Sequence, residues 1–248
     1  LVSGGDLTLS QSGTPATFTN AANGTVTVGP TRTWIINNGT FTHQTGATLN
    51  GGGALTMNSV TTPPATFNAA FTLGTLTLNN TTANFAAGVN LVTGPTFALT
   101  LNNATLNGPG TLTNAAGQTL TLTNSTDVAL TMPLDNLGTL VIHGTNTVGA
   151  FAGNIQSGTL RVEGSSASTG TLTVATGFTN NGAIELTNNL LNQAATLTVT
   201  NGSLTNAGTI ASLAGLGGGA RTLNAQLINQ ATRTVTIDQT LTMGRATS

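Results

Sequence analysis

Charge is the scarcest property of this sequence. Asp, Glu, Lys and Arg make up 4% of its 248 residues, against roughly a quarter in an average soluble domain. Lysine is absent, and the basic residues Arg32, Arg161, Arg221, Arg233 and Arg245 are scattered. Neutralising a phosphate backbone takes a basic patch, so nucleic acid is excluded as a partner. No run of about 18 apolar residues occurs, so no helix is expected to span a bilayer. Cysteine is absent, which removes disulfides as a source of stability and leaves the redox compartment open. No secretory leader is legible, and a start at Leu1 is the expectation for a processed or excised segment.

What the chain does contain is enough to build a core. Hydrophobic residues make up 38%, the formal charge is −1 and the mean hydropathy is positive. Disordered chains combine low hydrophobicity with high net charge, and this composition is the reverse. The length fits one all-β unit, 1–248. A surface rich in threonine and asparagine without lysine points outside the cell, to an extracellular or cell-surface location.

Short segments alternate threonine with an apolar residue: GTVTV at 24–28, GTLTL at 74–78, TLTLT at 119–123, GTLTV at 170–174, TLTVT at 196–200 and TVTI at 234–237. Alternation with period two places the apolar residues on one face and threonine on the other. Threonine and valine are β-branched and suit a pleated, half-buried surface. Glycine, asparagine and proline punctuate these strands.

Apolar positions also recur at one separation. Phe18 and Phe41, Val26 and Leu49, and Trp34 and Met57 are each paired 23 residues apart. Leu140, Leu160, Ile184, Ile210 and Val235 continue the recurrence at 20 to 26 residues. The simplest account is a coil with three short strands, each stacked on its counterpart. Turn residues lie at the corners: Asn38 and Gly39, Asn136 and Gly138, Asn181 and Gly182, Asn206 and Gly208. Asparagine and glycine tolerate the positive φ of such bends. The expected fold is all-β, a right-handed parallel β-helix of roughly ten coils of 20–26 residues. At about 4.8 Å per strand the rod would be on the order of 50 Å long. An antiparallel sandwich shows turns at similar intervals, but like over like at one coil's separation favours stacking.

At its NxGT-hydrophobic turns the chain resembles the β-solenoid repeats of bacterial surface proteins, the autotransporter passengers and filamentous-haemagglutinin-like adhesins. That resemblance implies export to the cell surface and a role in adhesion or scaffolding.

Residues suited to chemistry are few. The acids are Asp6, Asp127, Asp135, Glu163, Glu185 and Asp238, whereas glycosidic cleavage needs paired carboxylates on one patch. His43 and His143 have no cysteine or acid at metal-ligand spacing. No serine sits in GxSxG, and the glycines at 217–219 read as a loop. No catalytic residue, metal or cofactor is expected. Coil register puts Arg161 over Glu185 and His143 over Glu163, all pointing outward as surface pairs. Outward Thr-x-Thr pairs at 25/27, 40/42, 75/77, 111/113, 171/173 and 240/242 read as solvated strand faces that do not recur at a constant place on one side. Sequons occur at Asn23, Asn38, Asn79, Asn80, Asn103, Asn124 and Asn201.

The expected function is an extracellular structural subunit of a filament or matrix, with other copies of itself as partner. Both end segments read as strand and not as a polar cap, so end-to-end stacking is expected, 1–9 of one copy on 228–243 of the next. The alternative is a stalk or binding segment of a larger adhesin, with surface glycans as partner. Ice binding and polysaccharide cleavage are further alternatives.

Overall fold

The computed structural model describes residues 1–10, 12, 16–123, 128–165 and 168–244. Asn124, Asp127 and Arg245 lie outside the described residues. The fold is a parallel β-solenoid of about ten turns, and the single helical turn among the described residues is Ala152–Asn154. Two compact units divide the chain, Leu1–Leu112 and Thr113–Ser248.

The alternating segments all become strands, and for the expected reason. Thr159–Gly164 alternates half-exposed Thr159, Arg161 and Glu163 with buried Leu160, Val162 and Gly164. Burying such a Leu or Val is worth roughly 1.5–3 kcal/mol, and each ladder repeats the gain at every coil.

In the first unit one side of the coil stacks Leu7–Ser10, Thr33–Asn37, Ala54–Asn58 and the first halves of Thr75–Phe85 and Ala98–Asn107 in parallel. A second side stacks Thr17–Asn20, Thr40–His43 and Ala65–Phe67, and a third pairs Thr25–Thr27 with Thr48–Asn50. Phe18 lies opposite Phe41 and Val26 opposite Leu49. The rings of Phe18 and Phe41 stack at 5.9 Å, and Phe67 and Phe85 continue the column at 4.9 Å from each other.

Trp34 does not stack on Met57. It lies opposite Leu55, and Met57 lies opposite Ile36. The cause is the glycine corner at 51–53, which turns in fewer residues than the corner it covers. A Cβ on Gly51 would sit 1.9 Å from the Val28 carbonyl oxygen, and its φ of +112° is open mainly to glycine. The strand advances by two residues, so the alternation still faces inward.

In the second unit the first side runs through Thr119–Leu122, Thr139–Ile142, Thr159–Gly164, Ala183–Asn188, Thr209–Ser212 and Thr234–Ile237. Its inward ladder is Leu120, Leu140, Leu160, Ile184, Ile210 and Val235, one above another. The next side runs through Val128–Leu130, Thr145–Val148 and the first halves of Gly170–Asn180, Ala195–Asn206 and Arg221–Asn229 to Leu241–Gly244. Here the threonines depart from expectation. Thr171 and Thr173 belong to two outward ranks that recur at constant positions over successive coils.

Candidate functional site

The corner turns differ from one another in why they need their residues. Asn38 and Gly39 hold φ of 60° and 69°, the expected left-handed bend. Gly138, Gly158, Gly182 and Gly208 are needed for space instead. A Cβ on Gly182 would lie 1.9 Å from the Gly158 carbonyl oxygen, and one on Gly208 would lie 2.0 Å from that of Gly182. These glycines floor a shallow groove of about 550 Å³, with Thr139, Thr159 and Thr209 along its wall and Arg233 at its margin.

Beside that strip runs a column of buried side-chain amides. Asn114 Nδ2 donates to Asn136 Oδ1 at 2.9 Å, Asn180 to Asn206 at 2.9 Å, and Asn206 to Asn229 at 2.7 Å. Asn136, Asn180 and Asn206 also each donate to the threonine carbonyl that opens a neighbouring coil. At the second of these corners Asn180 enters the column, while Asn181 stays exposed in the turn. Gln156 interrupts the series. Its longer side chain folds back onto the Gly158 carbonyl at 2.7 Å, leaving Asn180 Oδ1 buried without a partner among the described residues. The first unit carries a parallel column, Asn37, Asn58, Asn79 and Asn102, joined at 2.7–2.8 Å.

Both charged pairs are where register places them. Arg161 Nε donates to Glu185 Oε2 at 2.7 Å, and His143 Nε2 meets Glu163 Oε1 at 2.8 Å. Asn189 Nδ2 donates to the same Glu163 oxygen at 2.6 Å. Each carboxylate is therefore held by its own partners. The exposed Arg161–Glu185 pair contributes about 0–1 kcal/mol. Asp6 accepts the Thr33 N–H at 2.8 Å, as a strand-end cap. No three His, Cys, Asp or Glu side chains gather among the described residues.

Two buried residues escaped the sequence reading. His43 is fully buried, its Nδ1 3.2 Å from Asn20 Nδ2, and Nε2 has no hydrogen-bond partner among the described residues. Burial lowers its pKa from the ordinary value, against a smaller opposing effect of the Ala70 backbone. Arg221 occupies an inward ladder position between Ala195 and Leu241. Its guanidinium donates to the carbonyls of Leu213, Ala214, Gln193, Gly218 and Gly219 at 3.1–3.3 Å. Desolvation lowers its pKa. Asn188 supports the same loops through the carbonyls of Gln193 and Gly217 and the Leu216 N–H. The glycines at 217–219 form a loop, and they also supply acceptors for this cage.

The edge of the last described coil is uncovered. The inward-facing Ile237 and Met243 are 58% and 52% exposed, whereas Ser212 and Leu223, which they cover one coil earlier, are fully buried. In the first unit Leu7–Ser10 likewise has a strand on one side only among the described residues, and Leu7 is exposed.

The ladders define the chain as a parallel β-solenoid protein. Family models, curated proteins and solved structures were compared with it, and none matches.

Proposed function

We propose that the chain is a structural protein of the cell exterior that assembles by end-to-end stacking. The first coil of one copy continues the parallel ladders of the last coil of another. The carrying observation is the uncovered apolar edge formed by the inward-facing Val235, Ile237, Leu241 and Met243. An open strand edge also offers unpaired backbone N–H and C=O groups to a further strand.

Pattern matching supports a second copy as occupant. Leu7-Thr8-Leu9-Ser10 and Leu241-Thr242-Met243-Gly244 share one alternation. Leu7 and Leu9 pair with the buried Trp34 and Ile36, and Met243 pairs with the buried Leu223. The two strands thus present their apolar residues inward in the same phase, so Leu7 would cover Leu241 and Leu9 would cover Met243. Charges around these strands are few and mixed in sign: Asp6 precedes the first, Arg233, Asp238 and Arg245 flank the last ones, and Arg221 lies buried beneath Leu241. The lysine-free, threonine-rich surface supports an exterior location.

Sedimentation and electron microscopy test this reading with two variants, Leu9→Lys and Met243→Lys. The wild type forms fibres that lengthen with concentration. Each variant alone is monomeric, and an equimolar mixture stops at dimers, because one intact edge of each kind remains. A wild type that stays monomeric at high concentration overturns the reading.

A further inference from the structure

On one side of the second unit the threonines form a two-dimensional lattice. Thr145, Thr171, Thr196, Thr222 and Thr242 follow one another in register. Two residues along each strand, Thr147, Thr173 and Thr198 form a second rank that ends at Asn224. All are half-exposed or exposed, while the residues between them, Asn146, Leu172, Leu197 and Leu223, are buried. Successive strands lie about 4.8 Å apart and alternate residues about 6.6 Å apart, so the hydroxyls repeat on both axes of the sheet.

Three further properties converge on these ranks. No ionisable side chain stands in either rank. Thr198 Oγ1 accepts from Asn224 Nδ2 at 3.4 Å, and the other hydroxyls of the two ranks carry no side-chain hydrogen bond among the described residues. Threonine is β-branched and restricted at χ1, so adjacent residues hold hydroxyl and methyl in a repeated orientation at small entropic cost. Structural stability alone needs none of this regularity. The neighbouring side also has one threonine rank, Thr119, Thr139, Thr159, Thr209 and Thr234, interrupted at Ala183, but its second outward rank carries Val141, Arg161, Glu185 and Ala211, so no two-dimensional lattice forms there although it stacks as well.

We infer that this face orders water into an ice-like layer and binds the surface of ice. Hydroxyls repeating at these two spacings can each bond a water of a hexagonal lattice, and the methyl groups between them hold neighbouring waters in a cage. A charged or irregular face would bond water in directions that break such a layer. The proposal is independent of end-to-end stacking, because the ranks lie on the flank of the coils and not on their edges.

Thermal hysteresis and inhibition of ice recrystallisation test it with the purified full chain. Wild type is expected to facet ice crystals and suppress recrystallisation. Thr173→Lys and Thr196→Lys should each lower the activity about tenfold, as loss of one matched contact region would, with unfolding midpoints unchanged. The triple variant Thr171→Ser, Thr196→Ser and Thr222→Ser keeps the hydroxyls and removes the methyls, and it should fall similarly. Thr159→Lys, on the neighbouring side, should retain full activity. Absence of activity in the wild type, or full activity in folded lattice variants, overturns the inference.

Discussion

Arg221 is a buried cation that no carboxylate among the described residues pairs. Its charge is balanced by carbonyl dipoles from the loops around 193 and 213–219, which it ties to the coil wall. Removing the guanidinium would strand those acceptors in a dry site, where each lost partner costs about 1–3 kcal/mol. Arg221→Met should therefore destabilise the second unit by about 3 kcal/mol. Arg221→Lys should recover less than half of that, since an ammonium lacks the planar fork. Urea unfolding measures both, and limited proteolysis should cut first within 213–220. His43 gives a pH signature. Its folded pKa is depressed, so below about pH 6.5 the unfolded chain binds a proton that the native state refuses. Stability is complete above that value and declines as pH falls. The melting temperature should drop from pH 7 to pH 5, and His43→Gln should flatten that dependence. An unchanged slope would remove His43 as the cause. Neither residue was legible in the sequence. Arg221 is one of several scattered arginines, and His43 has no motif. Burial at a ladder position depends on corner lengths that alternation does not reveal.

Among elements, the strands were legible because alternation of Thr with Leu or Val is imposed by a two-sided sheet. The stack of Leu140, Leu160, Ile184, Ile210 and Val235 was legible too, because three of its turns, at 136–138, 180–182 and 206–208, have the form of asparagine followed closely by glycine. The pairing of Trp34 with Met57 failed where the 51–53 corner shortens the coil. The corner glycines were found for an incomplete reason, since at Gly182 it is crowding and not φ that excludes a side chain. Gly182→Ala should cost about 3 kcal/mol through backbone displacement. Gly94→Ala, with nothing within 4 Å of the added Cβ, should stay within about 0.5 kcal/mol of wild type. The amide column makes the opposite kind of prediction. Replacing Gln156 by Asn should let its amide reach Asn180 Oδ1 and raise stability by about 1 kcal/mol. Thermal unfolding decides, and a destabilised Gln156→Asn would show that the fold-back onto Gly158 is the better arrangement.

For the whole molecule, the solenoid supplies a repeating wall and an uncovered edge. The charges add little, because Glu163 and Glu185 each already have partners. The proposed function depends at this scale on the stacking of copies, a property of terminal strands that composition indicates only through the scarcity of charge. The most direct measurement uses the absence of cysteine in the chain. Thr8→Cys and Thr242→Cys, introduced together, place one outward thiol on each edge. In the proposed register the two lie across one strand spacing, about 4.8 Å between Cα atoms, within the range a disulfide spans. Mild oxidation should give a ladder of covalent oligomers on a non-reducing gel. Thr8→Cys with Thr240→Cys, two residues out of register, should give none. Monomers alone from the first variant, or equal ladders from both, would contradict in-register stacking of one copy on the next.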